Sequence, residues 1–336
     1  MKRISILLIV VLVFGLLVSC ASAKKEPEIL TNVVVAVGET KTGVDTLEDA
    51  VALVSAGETA VITIQADITV NSEIVIENKT ITITNKDGLD VVINDGTTAN
   101  GEAAVAAGYK VADMIIIKGT GELTLEGNKT GSLTIKGAPV SGAGPIARSL
   151  IILPKSDPGK LFIKAGVTIT KQYSTGGAGV IRNYGYVQIE EGVKFIDNTI
   201  EKSNGCVMFI GGAGEAVING GEFINNNAGP SNGGTIQVSN DAEVSKLTIN
   251  GGTFTGNIAA RGAVVNSYAK SVVTINGGTF TGNTGTNEQF GAAVYCLGTF
   301  TINGGTFKDN GLFDVYKAAD TVTISDKAEI AKLGQP

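Results

Sequence analysis

Acid–base catalysis at neutral pH most often calls on histidine, and this 336-residue sequence contains none. Its absence also removes the commonest zinc ligand. The carboxylates Glu190, Glu191, Asp197, Glu222 and Asp309 are spread among turn-like segments. Cleaving a glycosidic bond takes two carboxyl groups about 5–10 Å apart, and nothing in the spacing gathers such a pair, so these read as solvated turn charges. A lyase needs a base beside a metal-stabilised acid. Beyond residue 20 the only guanidinium groups are Arg148, Arg182 and Arg261, although lysine could take that role. The nonapeptide calcium repeat is missing, with Gly211-Gly-Ala-Gly-Glu215 a single weak echo. The Gly-rich stretch Ser174–Val180 lacks the strand–helix setting of a phosphate loop. No catalytic residue, metal or cofactor is therefore expected. Tyr173, Tyr184, Tyr186 and Tyr268 are the aromatics a sugar groove would use.

One cysteine does promise chemistry. Lys2 and Arg3 precede a fifteen-residue apolar run, Ile4–Val18, which ends Leu17-Val18-Ser19-Cys20. The run is short for a membrane span, which takes about 20 residues, and suits the apolar core of a signal peptide. The ending resembles a bacterial lipobox, in which the cysteine is acylated and becomes the first mature residue. Cys20 is thus the expected lipidation site, with residues 1–19 as signal peptide and 20–30 as a polar tether. Acyl chains contribute about 0.8 kcal/mol per buried CH₂, so several anchor stably in a membrane. Ala21 is not the aspartate that retains many lipoproteins at the inner membrane, which favours the outer membrane and a surface-exposed protein. The remaining Cys206 and Cys296 lie three repeats apart, about 14 Å at ~4.8 Å per coil, too far for a disulfide.

The positioning elements are legible as repeats. Val273-Thr-Ile-Asn-Gly-Gly-Thr-Phe-Thr-Gly-Asn283 recurs at Leu247–Asn257 and Phe300–Asn310, and more loosely at Ala216–Asn226 and Val187–Asn198. Phe195, Phe223, Phe254, Phe280 and Phe307 mark the register at spacings of 28, 31, 26 and 27 residues, by subtraction. Val273, Thr274 and Ile275 alternate apolar and polar, so one strand face is buried. Asn-Gly and Gly-Asn turn the chain. A Gly-Gly-Ala-Val-like element follows at Gly176, Gly205, Gly233, Gly262 and Gly291. Each unit thus makes about three short strands and cannot bury its apolar face alone, whereas stacking buries a continuous core. The expectation is an all-β, right-handed, single-stranded parallel β-helix of about 27 residues per coil. It should carry an inner Phe ladder and an outer ladder of Asn219, Asn250, Asn276 and Asn303.

Phe-x-x-Asn coupled to Gly-Gly-Ala-Val resembles the repeats of the chlamydial polymorphic outer-membrane proteins and related bacterial surface proteins over roughly residues 176–310. That family carries a C-terminal membrane barrel; here the last repeat is followed closely by Gly334-Gln335-Pro336, so lipid is expected as the anchor instead. The resemblance implies a surface adhesin or interaction scaffold using the side of the solenoid, with an unknown protein or glycan as ligand. Net charge is −6 with no basic stripe, which argues against nucleic acid. The alternative is a polysaccharide lyase or glycoside hydrolase on a pectate-lyase-like β-helix.

Residues 31–175 are expected to form an N-terminal cap and irregular coils, and 176–336 the regular coils and a C-terminal cap. Thr46–Val54 spaces its apolar residues as a helix does, with Thr46 and Asp49 placed for a capping box, and should plug the end of the solenoid.

Overall fold

A computed structural model describes residues 31–97, 113–137, 148–176, 179–201, 205–230, 233–239 and 241–336. Cys20 and the signal and tether segments lie outside these residues. The chain is a right-handed parallel β-helix. Three long sheets form its sides: sheet A has twelve strands, and sheets B and C have ten each. One coil reads Val272–Ile275 in sheet A, Thr279–Thr281 in sheet B and Ala292–Cys296 in sheet C. The short strand Thr284–Gly285 leaves sheet B before the chain reaches sheet C. Coils stack in parallel register, so Val273 pairs with Leu247 before it and Phe300 after it.

Alternation explains which side of each strand is buried. In Val272–Ile275, Val273 and Ile275 are fully buried while Val272 and Thr274 are half-buried. The Asn-Gly-Gly corner between sheets A and B needs both glycines for different reasons. A Cβ on Gly277 would sit 2.8 Å from the Asn250 carbonyl oxygen of the previous coil, and Gly278 adopts φ +109°.

The five register phenylalanines are fully buried and stack ring on ring. Centroid separations are 5.0, 4.7, 4.7 and 4.4 Å and interplanar angles stay at or below 15°. On the outside, Asn250 donates its side-chain N–H to Asn219, Asn276 to Asn250 and Asn303 to Asn276, at 2.8–2.9 Å. Asn219 in turn donates to Glu190 Oε1 at 3.0 Å.

A second amide column, inside the solenoid, differs from the sequence reading, which took Gly282-Asn283 as a plain turn. Asn198, Asn226, Asn257, Asn283 and Asn310 are at most 3% exposed. Each of the first four donates its backbone and side-chain N–H to the amide oxygen of the next, and Asn310 donates both to the buried Asp314 carboxylate. From Asn226 onward, each side chain also donates to the carbonyl of the register Phe one coil back. The turn is made by the residue before the asparagine: Asp197, Asn225, Gly256, Gly282 and Asp309 all have φ between +54° and +68°. These residue types tolerate that region best, and their left-handed geometry turns the following asparagine inward.

The N-terminal end is closed. Val33–Val37 pairs antiparallel with both Thr40–Val44 and Thr59–Ile64. The helix Leu47–Ala52 starts at Thr46, whose hydroxyl accepts the Asp49 N–H at 3.1 Å, and buries Leu47, Ala50 and Val51. Glu48 Oε1 accepts the N–H groups of Asn71 and Ser72, and Lys79 donates to the Val51 carbonyl, tying the helix to the first coil. All three main sheets run unbroken through residue 175, so the irregular and regular coils form one solenoid. Cys206 and Cys296 are buried free thiols. Burial pushes Cys206 up to about 12 and raises Cys296 well above the usual thiol range.

Shortening Phe280 to alanine would open a void between Phe254 and Phe307. The expected loss is about 3–4 kcal/mol, read from denaturant melts, with protease sensitivity rising first in the neighbouring coils because each coil touches only its neighbours. Unchanged melting and proteolysis would mean that the ring stack bears no structural load.

Candidate functional site

Register places one residue of each coil at the middle of the outer surface of sheet C. In chain order the file is Ile116, Ile152, Arg182, Phe209, Gln237, Asn266, Tyr295 and Tyr316. Their neighbours on the strand, such as Ile181 and Asn183 beside Arg182, are fully buried in the interior. Outward strand positions of a solenoid are normally wet. Here Gln237, Asn266, Tyr295 and Tyr316 are only 3, 2, 8 and 6% exposed, while Arg182 and Phe209 are half-buried. The file changes character along its length, from aliphatic through guanidinium and amide to aromatic.

At the aromatic end Tyr295 and Tyr316 lie parallel at 5.6 Å, and Phe290 meets both edge-on. The Arg261 guanidinium sits 5.4 Å from the Phe290 centroid and 5.3 Å from that of Tyr295, within cation–π range. Burial raises the Tyr295 phenol, against the pull of Arg261. Further along, Tyr184 packs edge-on against Phe209 at 5.9 Å. Beside them Asp241 accepts the Gly212 N–H at 2.9 Å and faces Lys155 at 3.9 Å. Among the described residues, two buried polar atoms in this region have no partner: Gln237 Oε1 and Arg261 Nε.

The four tyrosines singled out in the sequence do not share one groove. Tyr184 lies against the sheet C file, and Tyr268 is near enough to Tyr295 to influence its phenol. Tyr186 is on sheet A against Phe162, its hydroxyl donating to Gln188. Tyr173 belongs to a small side sheet, where burial and a hydrogen bond with Glu201 push it up to about 12. Among the carboxylates read as turn charges, Asp197 pairs with Lys171 and Glu222 with Lys194 on the surface.

A charged cluster in the early coils has no trace in the repeat pattern. Asp95 and Arg148 form an ion pair whose side chains are fully buried, and Thr97 donates its N–H and hydroxyl to Asp95 while accepting from Arg148. Nearby, Asp113 accepts the Ser149 N–H at 2.6 Å. Burial raises the Asp113 carboxyl despite Ser149, Arg182 and Arg148, and Glu73 is raised by burial and by Asp113. Fifty-three residues separate Asp95 from Arg148. Among the described residues, no group of three or more His, Cys, Asp or Glu side chains is arranged to hold a metal ion.

The architecture and this surface define a β-solenoid with one chemically distinct side. No family model matches the sequence, and no match was found among curated proteins or solved structures.

Proposed function

We propose that the protein is a lipid-anchored surface scaffold of the bacterial outer membrane that binds a protein or glycan through the side of its β-helix, without catalysing a reaction. The observation that carries this reading is the sheet C file, where the outward residue of successive coils is Arg182, Phe209, Gln237, Asn266 and Tyr295. Aromatic and arginine side chains are the residue types most enriched at binding hot spots. Sheet B gives the contrast: its outward residues repeat as Thr253, Thr279 and Thr306, as a plain structural surface does. The anchor rests on Leu17–Cys20. An array of matrix proteins and glycans probed with the full chain is expected to give saturable binding without product release. Turnover of a bound glycan would reverse the reading.

Lipidation has its own test. Mass spectrometry of protein taken from membranes is expected to find acylated Cys20 at the mature N-terminus, and Cys20→Ala should release the chain from the membrane or leave it unprocessed. An unacylated mature N-terminus beyond residue 20 would exclude the anchor.

One observation favours the second reading, a polysaccharide lyase or hydrolase. Glu73 and Asp113 belong to neighbouring coils; burial raises both, Asp113 raises Glu73 further, and Arg182 and Arg148 pull Asp113 the other way. A carboxyl held above its ordinary range is suited to general-acid work. Turnover abolished by Asp113→Asn with folding intact would establish that reading.

A further inference from the structure

Arginine is scarce in the part of this chain that the structure describes. Of Arg148, Arg182 and Arg261, the first is neutralised by Asp95 inside the solenoid. The other two stand on or beside the sheet C file, and among the described residues neither has a carboxylate within ion-pair distance or an acceptor for its N–H groups. Arg182 acts on Asp113 only through space. Arg261 lies against the rings of Phe290 and Tyr295, and its Nε is buried without a partner. Asp241, facing Lys155, lies on the same side, so the two guanidinium groups are separate anion-seeking points and not one positive face.

Their separation follows from the register. Arg182 and Tyr295 are four coils apart through Phe209, Gln237 and Asn266. At ~4.8 Å per coil that is about 19 Å. A ligand that satisfies this side therefore carries anionic oxygens about 19 Å apart, the same four coils at ~4.8 Å each.

Two kinds of polymer meet that description, an acidic peptide and an acidic glycan, and accessibility separates them. Sugar rings are held on open aromatic faces. Here the faces of Tyr295 and Tyr316 are turned on each other, and Arg261 occupies the approach to Phe290 and Tyr295. Gln237, Asn266 and Tyr295 expose under a tenth of their surface and Gln237 Oε1 is itself buried, so the file between the two arginines offers no open face. A carboxylate on a flexible arm needs no such face to reach the partly exposed Arg182 and Arg261. An extended peptide covers about 19 Å in roughly six residues at ~3.3 Å each.

We infer that the outer side of sheet C between Arg182 and Arg261 is a docking site for an extended acidic peptide segment of a partner protein, its carboxylates held by the two guanidinium groups. The inference rests on the binding reading above and names the class of its ligand.

Fluorescence anisotropy with the full chain in detergent micelles tests it, using labelled octaglutamate as probe and octaserine and octagalacturonate as comparisons. Octaglutamate is expected to bind more tightly than octaserine and to weaken with salt. Each guanidinium lost removes a charge-assisted hydrogen bond, so Arg182→Gln and Arg261→Gln should each weaken binding by about tenfold or more. Lys246→Gln on sheet A should leave it unchanged. Arg182 is half-buried and makes no hydrogen bond among the described residues, so its variant keeps the parent melting temperature and carries the test if Arg261→Gln loses stability. Octaglutamate binding no better than octaserine, or arginine-dependent binding of octagalacturonate alone, overturns the inference. Partner binding on the array that survives in both arginine variants also overturns it, while leaving the scaffold reading standing.

Discussion

Replacing Asn283 by alanine is expected to be the most damaging single change in the regular coils, lowering unfolding free energy by about 4–6 kcal/mol as two or three buried polar groups lose their partners at ~1–3 kcal/mol each. Asn283 accepts the backbone and side-chain N–H of Asn257, donates to the carbonyl of Phe254, and donates twice to Asn310. These partners are in the coils above and below, and a further bond runs to the Thr281 carbonyl of the same coil, in a space alanine cannot fill and water cannot easily enter. Asn276→Ala removes an amide of the same kind from the outer column, where water substitutes, and should stay within about 0.5–1 kcal/mol of the parent. Denaturant unfolding of both variants reads the contrast directly. Equal losses at the two sites would show that burial of the inner column does not matter.

The second large effect is expected at Asp95. Removing one member of a buried ion pair leaves an uncompensated charge and costs about 3–5 kcal/mol. Asp95→Ala would strand the fully buried Arg148 guanidinium and deprive the Thr97 N–H and hydroxyl of their acceptor. Hydrogen exchange should then quicken in Ile68–Val70 and Val91–Asp95 before it changes near the phenylalanine stack. The double variant Asp95→Leu/Arg148→Met should recover most of the loss, since a well-packed apolar pair often equals a buried salt bridge. A double variant as unstable as Asp95→Ala would locate the damage in side-chain volume rather than in charge.

The solenoid was legible because its stabilising residues recur. Val-Thr-Ile-Asn-Gly-Gly-Thr-Phe shows, within a single copy, a buried face, a corner and a core ring, and its recurrence gives the stacking. Thr46 with Asp49 placed the capping helix in the same local way. The inner asparagine column was misread because asparagine after glycine is an ordinary turn signal, and its burial depends on coils about 27 residues away. The clue was the run of Asp, Asn and Gly before those asparagines, the residues that tolerate positive φ. Asp95 and Arg148 left no local pattern, since each is single and they meet only after the chain has wound once round. The sheet C side was hidden for the opposite reason. Arg182, Phe209, Gln237, Asn266 and Tyr295 occupy equivalent positions but share no residue type, so a search for similarity passes over the positions where the coils differ.

The two amide columns run in opposite senses. Inner side chains pass their hydrogens toward the C-terminal end and finish on Asp314; outer ones pass theirs toward the N-terminal end and finish on Glu190. Between those two carboxylates every step is the same exchange of one amide for another. A coil there is an interchangeable part: duplicating the 26 residues from one register phenylalanine to the next, Phe254 to Phe280, would lengthen both columns by one link and ask for no new kind of residue at either end. The rod's length is therefore open to change by whole coils, while its capped end and its two terminal carboxylates stay as they are.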